Sequence, residues 1–326
     1  MAFPQGSLVL HGILRAGYRV RAPIRNVEKG QLVTEIFHKR YGTEAFSTVL
    51  IPDMAIPRSL DEAVEGCAGV VHLASEMGFL PDPNKMITPS LALLNNVLST
   101  AAKTSSVKRV VVASSQAALP PISEPGVIDS SSWNPKADDL IAYAWAEPYT
   151  TDKSGAIYVA CKISAERTCW DFVKREKPNF VLNTVVPGFT IGGSIDPRMI
   201  TSSNAAVLGM LDSIPSAVGF LKSLGLTNSV NLEDCALLHL AALTREDVRN
   251  ERLLALGEIF DFNRMVDVLE RLSLGSNLPQ KLADSIKPVA GFDTKREAEL
   301  LKALGKDGFT GLEDSVRMCL AGASRS

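Results

Sequence analysis

KRVVVASS, residues 108–115, is the stretch on which the fold turns. Its apolar run is strand-length and ends on two serines, as expected of a strand buried in a parallel sheet with its last residues at a crevice. Working outward, GVVHLA (69–74), FSTVLI (46–51) and YRVRAPI (18–24) precede it as similar runs, and FVLNTVVP (180–187) follows. Between them SLVLHGILRAG, LDEAVEG, TPSLALLNNVLSTAAKT and YVACKISAERTCWDFVKRE repeat apolar residues at three and four positions, the period of a helix with one buried face. Strands alternating with helices predict an α/β chain built on a doubly wound parallel sheet.

The chain has 326 residues, enough for a substantial core, with 46% hydrophobic and 21% charged residues and a net charge of −2. That balance speaks against disorder and against nucleic acid or an anionic membrane as partner. No apolar run reaches the roughly 18 residues of a membrane span, and the first residues lack a secretory pattern, so a cytoplasmic protein is expected. Its five cysteines are scattered and unpaired at any metal-ligand spacing, which predicts buried thiols and no metal. His11, His38, His72 and His239 are likewise isolated and read as packing residues.

YVACK sets Tyr158 and Lys162 four residues apart, hence on one helix face. A cation beside a phenol favours the phenolate, a property suited to a proton donor working near neutral pH. Ser114 and Ser115, at the end of the buried strand, offer hydroxyls at the crevice that could hold a carbonyl oxygen; they equally suit backbone groups where the strand turns. Trp133, Trp145 and Tyr149, before the tyrosine helix, either line a pocket or cover the core, and residues 188–226, with Phe189, Met199, Met210 and Phe220, are a second source of substrate contacts.

In order, AGYRVRAPIRN, DMAIPRSLDEAVEGCAGVVHLAS, KRVVVASS, YVACKISAE, VVPGFTIGGSIDP and VNLEDCALLHLAAL resemble the extended short-chain dehydrogenase/reductases, the NAD-dependent epimerase/dehydratase superfamily, and within it the dihydroflavonol, cinnamoyl-CoA and fungal aldehyde reductases. The resemblance implies a Rossmann-like domain over 1–187, rejoined by 227–245, and a smaller, mostly helical substrate lobe from 188–226 and 246–326. It also implies that Tyr158 is the general acid, Lys162 its electrostatic partner and a ligand of the nicotinamide ribose, and Ser115 the substrate-polarising hydroxyl, with Ser114 the lesser choice. Asp53 and Met54 border the adenine, Leu73, Ala74 and Ser75 pass under the cofactor, and Pro187 and Gly188 form the bend near the nicotinamide. The expected protein is a monomer or homodimer.

An acidic residue after the second strand selects NAD. Here Arg25 and Lys29 stand at that turn, two cations suited to the 2′-phosphate of NADP. The resulting expectation is NADPH-dependent reduction of an aldehyde or ketone on a small organic molecule, with specialised metabolism as the setting by family analogy; epimerase, dehydratase or hydroxysteroid dehydrogenase chemistry is the alternative on the same scaffold. One part does not match. Gly6 aligns with the last glycine of the family's phosphate loop, and the five residues before it leave the first strand and most of that loop missing. A catalytically silent binding protein is therefore a competing expectation.

Overall fold

The computed structural model describes residues 3–74, 79–272, 277–285 and 287–323, with residues 3–5 described by their backbone alone. The chain opens with helix α1 (Phe3–Arg15), followed by β1 (Val20–Ile24), α2 (Val27–Tyr41), β2 (Phe46–Leu50), the short α3 (Asp61–Val64) and β3 (Gly69–His72). Next come α4 (Pro83–Lys103), β4 (Arg109–Ala113), β5 (Gly126–Ile128), α5 (Ala137–Trp145), α6 (Ser154–Glu176) and β6 (Val181–Pro187). Then follow β7 (Phe189–Ile191), α7 (Ser202–Leu211), α8 (Pro215–Ser223), β8 (Thr227–Asn231), α9 (Leu232–Thr244) and β9 (Arg252–Ala255). The last elements are β10 (Ile259–Phe260), α10 (Phe262–Arg271), β11 (Ala290–Phe292), α11 (Lys295–Ala303) and α12 (Leu312–Ala323).

The main sheet is parallel throughout, in the order β3-β4-β6-β9. Strand β4 shows why an unbroken apolar run is needed. Val110 and Val112 pack with Leu94, Leu98, Cys169 and Leu182 under α4 and α6, whereas Val111 joins Val185, Cys235, Leu238 and Leu253 under α9. Successive residues of a strand face opposite sides, so both layers of helices require a valine.

Strands β1 and β2 form a separate parallel pair. No described strand lies before α1, and β1 and β3 do not pair with one another. Among the described residues the sheet is therefore divided between β1 and β3. Helix α1 packs on α9 through Val9, Ile13, Ala236 and Leu240.

Two elements depart from the sequence reading. Helix α2 was not expected, yet Asn26 caps it by accepting the Lys29 N–H at 3.0 Å, and it ends at Gly42, whose φ of 82° is favoured by glycine. Residues 252–255, read as part of the substrate lobe, instead form β9 and run beside β6 in the main sheet. The lobe's own core gathers Ile191, Val207, Met210, Met265, Val266 and Val316. Among the described residues no single helix is long and apolar enough to cross a membrane, and the apolar α7 and α8 bend by 118° at their junction.

Candidate active site

The carboxyl edge of the main sheet collects the serines, the tyrosine helix and the Pro-Gly bend. Beyond the end of β4, Ser114 donates its N–H to the Val185 carbonyl at 2.7 Å. Its hydroxyl donates to Oε2 of Glu166 at 2.6 Å. Ser115 turns away as the cap of a 3₁₀ turn over Gln116–Ala118, and its Oγ accepts the Ala117 N–H at 3.2 Å. That contact uses a lone pair and leaves the Ser115 proton to be donated elsewhere. The two adjacent hydroxyls thus differ in kind: Ser114 is spent inside the protein, and Ser115 retains a donor.

Helix α6 brings Tyr158 and Lys162 to the same edge, one turn apart. The Lys162 ammonium lies 5.6 Å from the centre of the Tyr158 ring. Lys162 is buried and Tyr158 half-buried. The ring of Phe79 stacks on Tyr158 at 5.0 Å with 29° between planes, and Phe79 in turn meets Phe220 edge-on at 6.3 Å. At the end of β3, burial and then the Lys162 charge push His72 down to about 4, so its imidazole is neutral near pH 7.

One turn beyond Lys162, Glu166 is fully enclosed and accepts four hydrogen bonds. These come from Ser114, from Thr184 Oγ1 at 2.9 Å, and from Arg252 Nε at 2.7 Å and Nη2 at 3.2 Å. Arg252 is itself 6% exposed and stacks on Trp133 with its guanidinium carbon 4.0 Å from the ring centre. The pair ties α6 to β4, β6 and β9 at once. Sequence reasoning missed Glu166 and Arg252; the available signal was a glutamate at the same helical spacing from Lys162 as Lys162 has from Tyr158. Of the two readings left open for Trp133, the stack on Arg252 places it in this packing.

On the other side of β3 a cavity of about 1770 Å³ runs along the divided sheet. Gly6, Arg25, Lys29, Met54, Leu73 and Ala74 all line it. Arg25 and Lys29 are exposed at its rim, after β1 and on the first turn of α2. Gly6 lies within α1, where a Cβ would meet Leu73 Cδ1 at an ordinary 3.6 Å, so no described neighbour requires glycine there. Asp53 lies outside the lining, exposed, with its carboxylate accepting the Ala55 N–H at 2.9 Å. The loop holding Asp53 and Met54 is fixed by buried Asn96 of α4, which donates to the carbonyls of Met54 and Ile56, each at 2.8 Å. Ser75 lies outside the described residues.

Pro187 ends β6, and the Gly188 N–H bonds to the Ala255 carbonyl at 3.0 Å. A Cβ at Gly188 would come within 2.7 Å of the Asn228 carbonyl oxygen, so glycine is required by the approach of β8. The histidines serve packing: His38 Nε2 bonds to the Phe46 carbonyl at 2.8 Å, His11 meets the Tyr41 hydroxyl, and fully buried His239 bonds to the Cys235 carbonyl at 2.8 Å. All five cysteines are free; four are buried and Cys67 is half-buried.

No protein-family model matches the chain. Among curated proteins it is 37% identical over 319 residues to the NAD-dependent epimerase/dehydratase terH of Aspergillus terreus, covering 95% of this chain and 91% of that one. It is 30% identical over 333 residues to aldehyde reductase 2 of Sporidiobolus salmonicolor, covering 96% and 95%. Among solved structures, Gre2 of Candida albicans in complex with NADPH superposes with a TM-score of 0.82 at 22% identity, over 98% of this chain and 96% of that one. Alfalfa vestitone reductase does so with a TM-score of 0.73 at 20% identity, over 99% and 96%. The fold is the Rossmann-like α/β fold of these reductases, and with relatives of this identity along nearly its whole length the chain belongs to the extended short-chain dehydrogenase/reductases, the family of the NAD-dependent epimerase/dehydratases.

Proposed function

We propose that the protein reduces an aldehyde or ketone on a small, mainly apolar organic molecule with NADPH. The observation that supports this reading is a lysine-flanked tyrosine on α6, the helix that packs against the turn capped by Ser115, whose hydroxyl keeps an uncommitted proton. Ser115 donates to the carbonyl oxygen and draws charge onto it. Tyr158 gives that oxygen its proton, and the Lys162 ammonium one turn away stabilises the phenolate left behind. Phe79 and Phe220 supply apolar walls beside the tyrosine.

The dinucleotide, when bound, supplies the hydride. Arg25 and Lys29 fit a 2′-phosphate by charge and by their place at the cavity rim, and Met54, Leu73 and Ala74 offer apolar contacts along it. Lys162 also serves the nicotinamide ribose, and Pro187 and Gly188 border the ring. Support comes from relatives named aldehyde reductase and ketoreductase, and from Gre2 solved with NADPH. Reading NADPH oxidation against a panel of aldehydes and ketones tests the assignment. Tyr158→Phe lowers turnover on the order of 10²- to 10⁴-fold while NADPH affinity stays within about twofold; unchanged turnover refutes the role of Tyr158.

A further inference from the structure

Ser115 sits in a turn that is held from outside as well as from within. Its Oγ accepts the Ala117 N–H and its carbonyl accepts the Ala118 N–H at 3.0 Å; the Ala118 carbonyl in turn accepts the Asn134 N–H at 2.9 Å. The residues leading to Asn134 form a tight turn of their own. Asp129 Oδ1 accepts the Ser131 N–H and the Ser132 hydroxyl, each at 2.9 Å, and the Ser132 N–H reaches the Asp129 carbonyl at 3.1 Å. That turn presents two carbonyls to Arg252, whose Nη1 donates to Ser130 at 3.3 Å and to Ser132.

Arg252 is thereby used on three sides. Nε and Nη2 form a fork on Glu166, Nη1 holds the carbonyls of Ser130 and Ser132, and the flat face lies on Trp133. A guanidinium offers donors along two edges together with a flat face, and an ammonium does not. Trp133 packs in turn in a cluster with Ala118 of the Ser115 turn and with Ile163 of α6, the residue after Lys162. At the other end of the pair, the four hydrogen bonds on Glu166 fill the roughly four acceptor sites of a carboxylate, which fixes its orientation. Direct contacts therefore run from the helix that carries Tyr158 and Lys162, through Glu166, Arg252 and residues 130–134, to the turn that holds Ser115. A buried ion pair is a poor source of net stability, because desolvation offsets the attraction between its charges. With every hydrogen bond made, it is a good source of fixed geometry.

We propose that Arg252, seated on Glu166, is a positioning residue for the reduction: it holds residues 130–134 against the Ser115 turn and so keeps the Ser115 hydroxyl in register with Tyr158. The proposal rests on the reductase reading. Ser114 is the lesser hold, since without it Glu166 retains Thr184 and both bonds from Arg252. It also fixes the end of β4 and not the turn beyond. Because Arg252 acts through Ser115, the rate lost with it is bounded by what Ser115 itself contributes.

The test is a double-mutant cycle in the full chain. Glu166→Leu together with Arg252→Met removes both charges, so neither is left buried and unpaired, and the variant keeps the parent's Tm. Its KM stays within about twofold, while kcat falls on the order of ten- to a hundredfold. In a Ser115→Ala background the same two changes lower kcat by less than about twofold, because the group they position is gone. Arg252→Lys, which keeps a charge on Glu166 and gives up the second edge and the stack, shows the same dependence on Ser115 should the apolar pair fail to fold. A second arm needs no turnover: amide exchange at Ala117, Ala118 and Asn134 quickens on the order of tenfold in the substituted chain, with the β6 amides unchanged. Equal loss of kcat with and without Ser115, an unchanged kcat, or unchanged exchange at those amides overturns the proposal. A parent inactive on every carbonyl sinks the reductase reading, and faster exchange at the same amides then still supports Arg252 as the residue that holds the Ser115 turn.

Discussion

At the residue scale, two neighbouring serines differ in what their hydroxyls are committed to. Ser114 holds Glu166 at 2.6 Å, while Ser115 accepts from Ala117 and keeps its proton. Ser115→Ala therefore lowers kcat/KM about 10²-fold, the usual effect of removing a donor from a reacting oxygen, with little change in Tm. Ser114→Ala shows the opposite split in a paired activity and melting measurement: kcat/KM within a few-fold of the parent, and a lower Tm because a buried carboxylate loses a partner. Equal rate losses in both variants would remove the distinction. Tyr158 and Lys162 were legible in the sequence because their relation is local, four residues on one helix. Glu166 was not, because its meaning depends on Arg252 and Thr184, which only the folded sheet brings to it.

At the element scale, buried apolar runs were easy to find and short exposed elements harder. Strands β4 and β6 were legible because burial on both faces leaves no polar interruption. Helix α2 was passed over because its stripe of Val33, Ile36 and Phe37 is narrow and set among charges, although Asn26 and Gly42 mark both its ends. Strand β9, only four residues long, could not be assigned to the main sheet without its neighbour β6. Helix α11 carries an element-level test. Glu297 is buried, one oxygen accepts the Leu254 N–H at 2.8 Å, and the other has no partner. Burial raises this carboxyl from 4.5 to about 7. A folded-state value above the unfolded one means that its contribution is full below about 4.5 and is lost as pH rises through about 7. Glu297→Gln keeps the acceptor and sheds the charge, so thermal melts show a gain over the parent at pH 8, of order 3 kcal/mol at most, that shrinks to nothing toward pH 4. A gain independent of pH would contradict the assignment.

At the scale of the whole molecule, the architecture followed from the alternation of runs, whereas the division between β1 and β3 is seen only in the folded sheet. The structure leaves a cavity bounded by two strand edges and bridged by Arg21, with Arg25 and Lys29 at its rim. Tyr158 and Lys162 consequently lie on one side of β3 and the cavity rim of Arg25 and Lys29 on the other, with Lys162 close enough to His72 for its charge to be felt there. The central claim is that this arrangement serves NADPH. Calorimetric titration of the full chain with NADPH and with NADH tests it most directly. Saturable NADPH binding, weaker binding of NADH, and loss of that preference in Arg25→Ala are predicted; equal affinity for the two dinucleotides, or no saturable heat with NADPH, would contradict it.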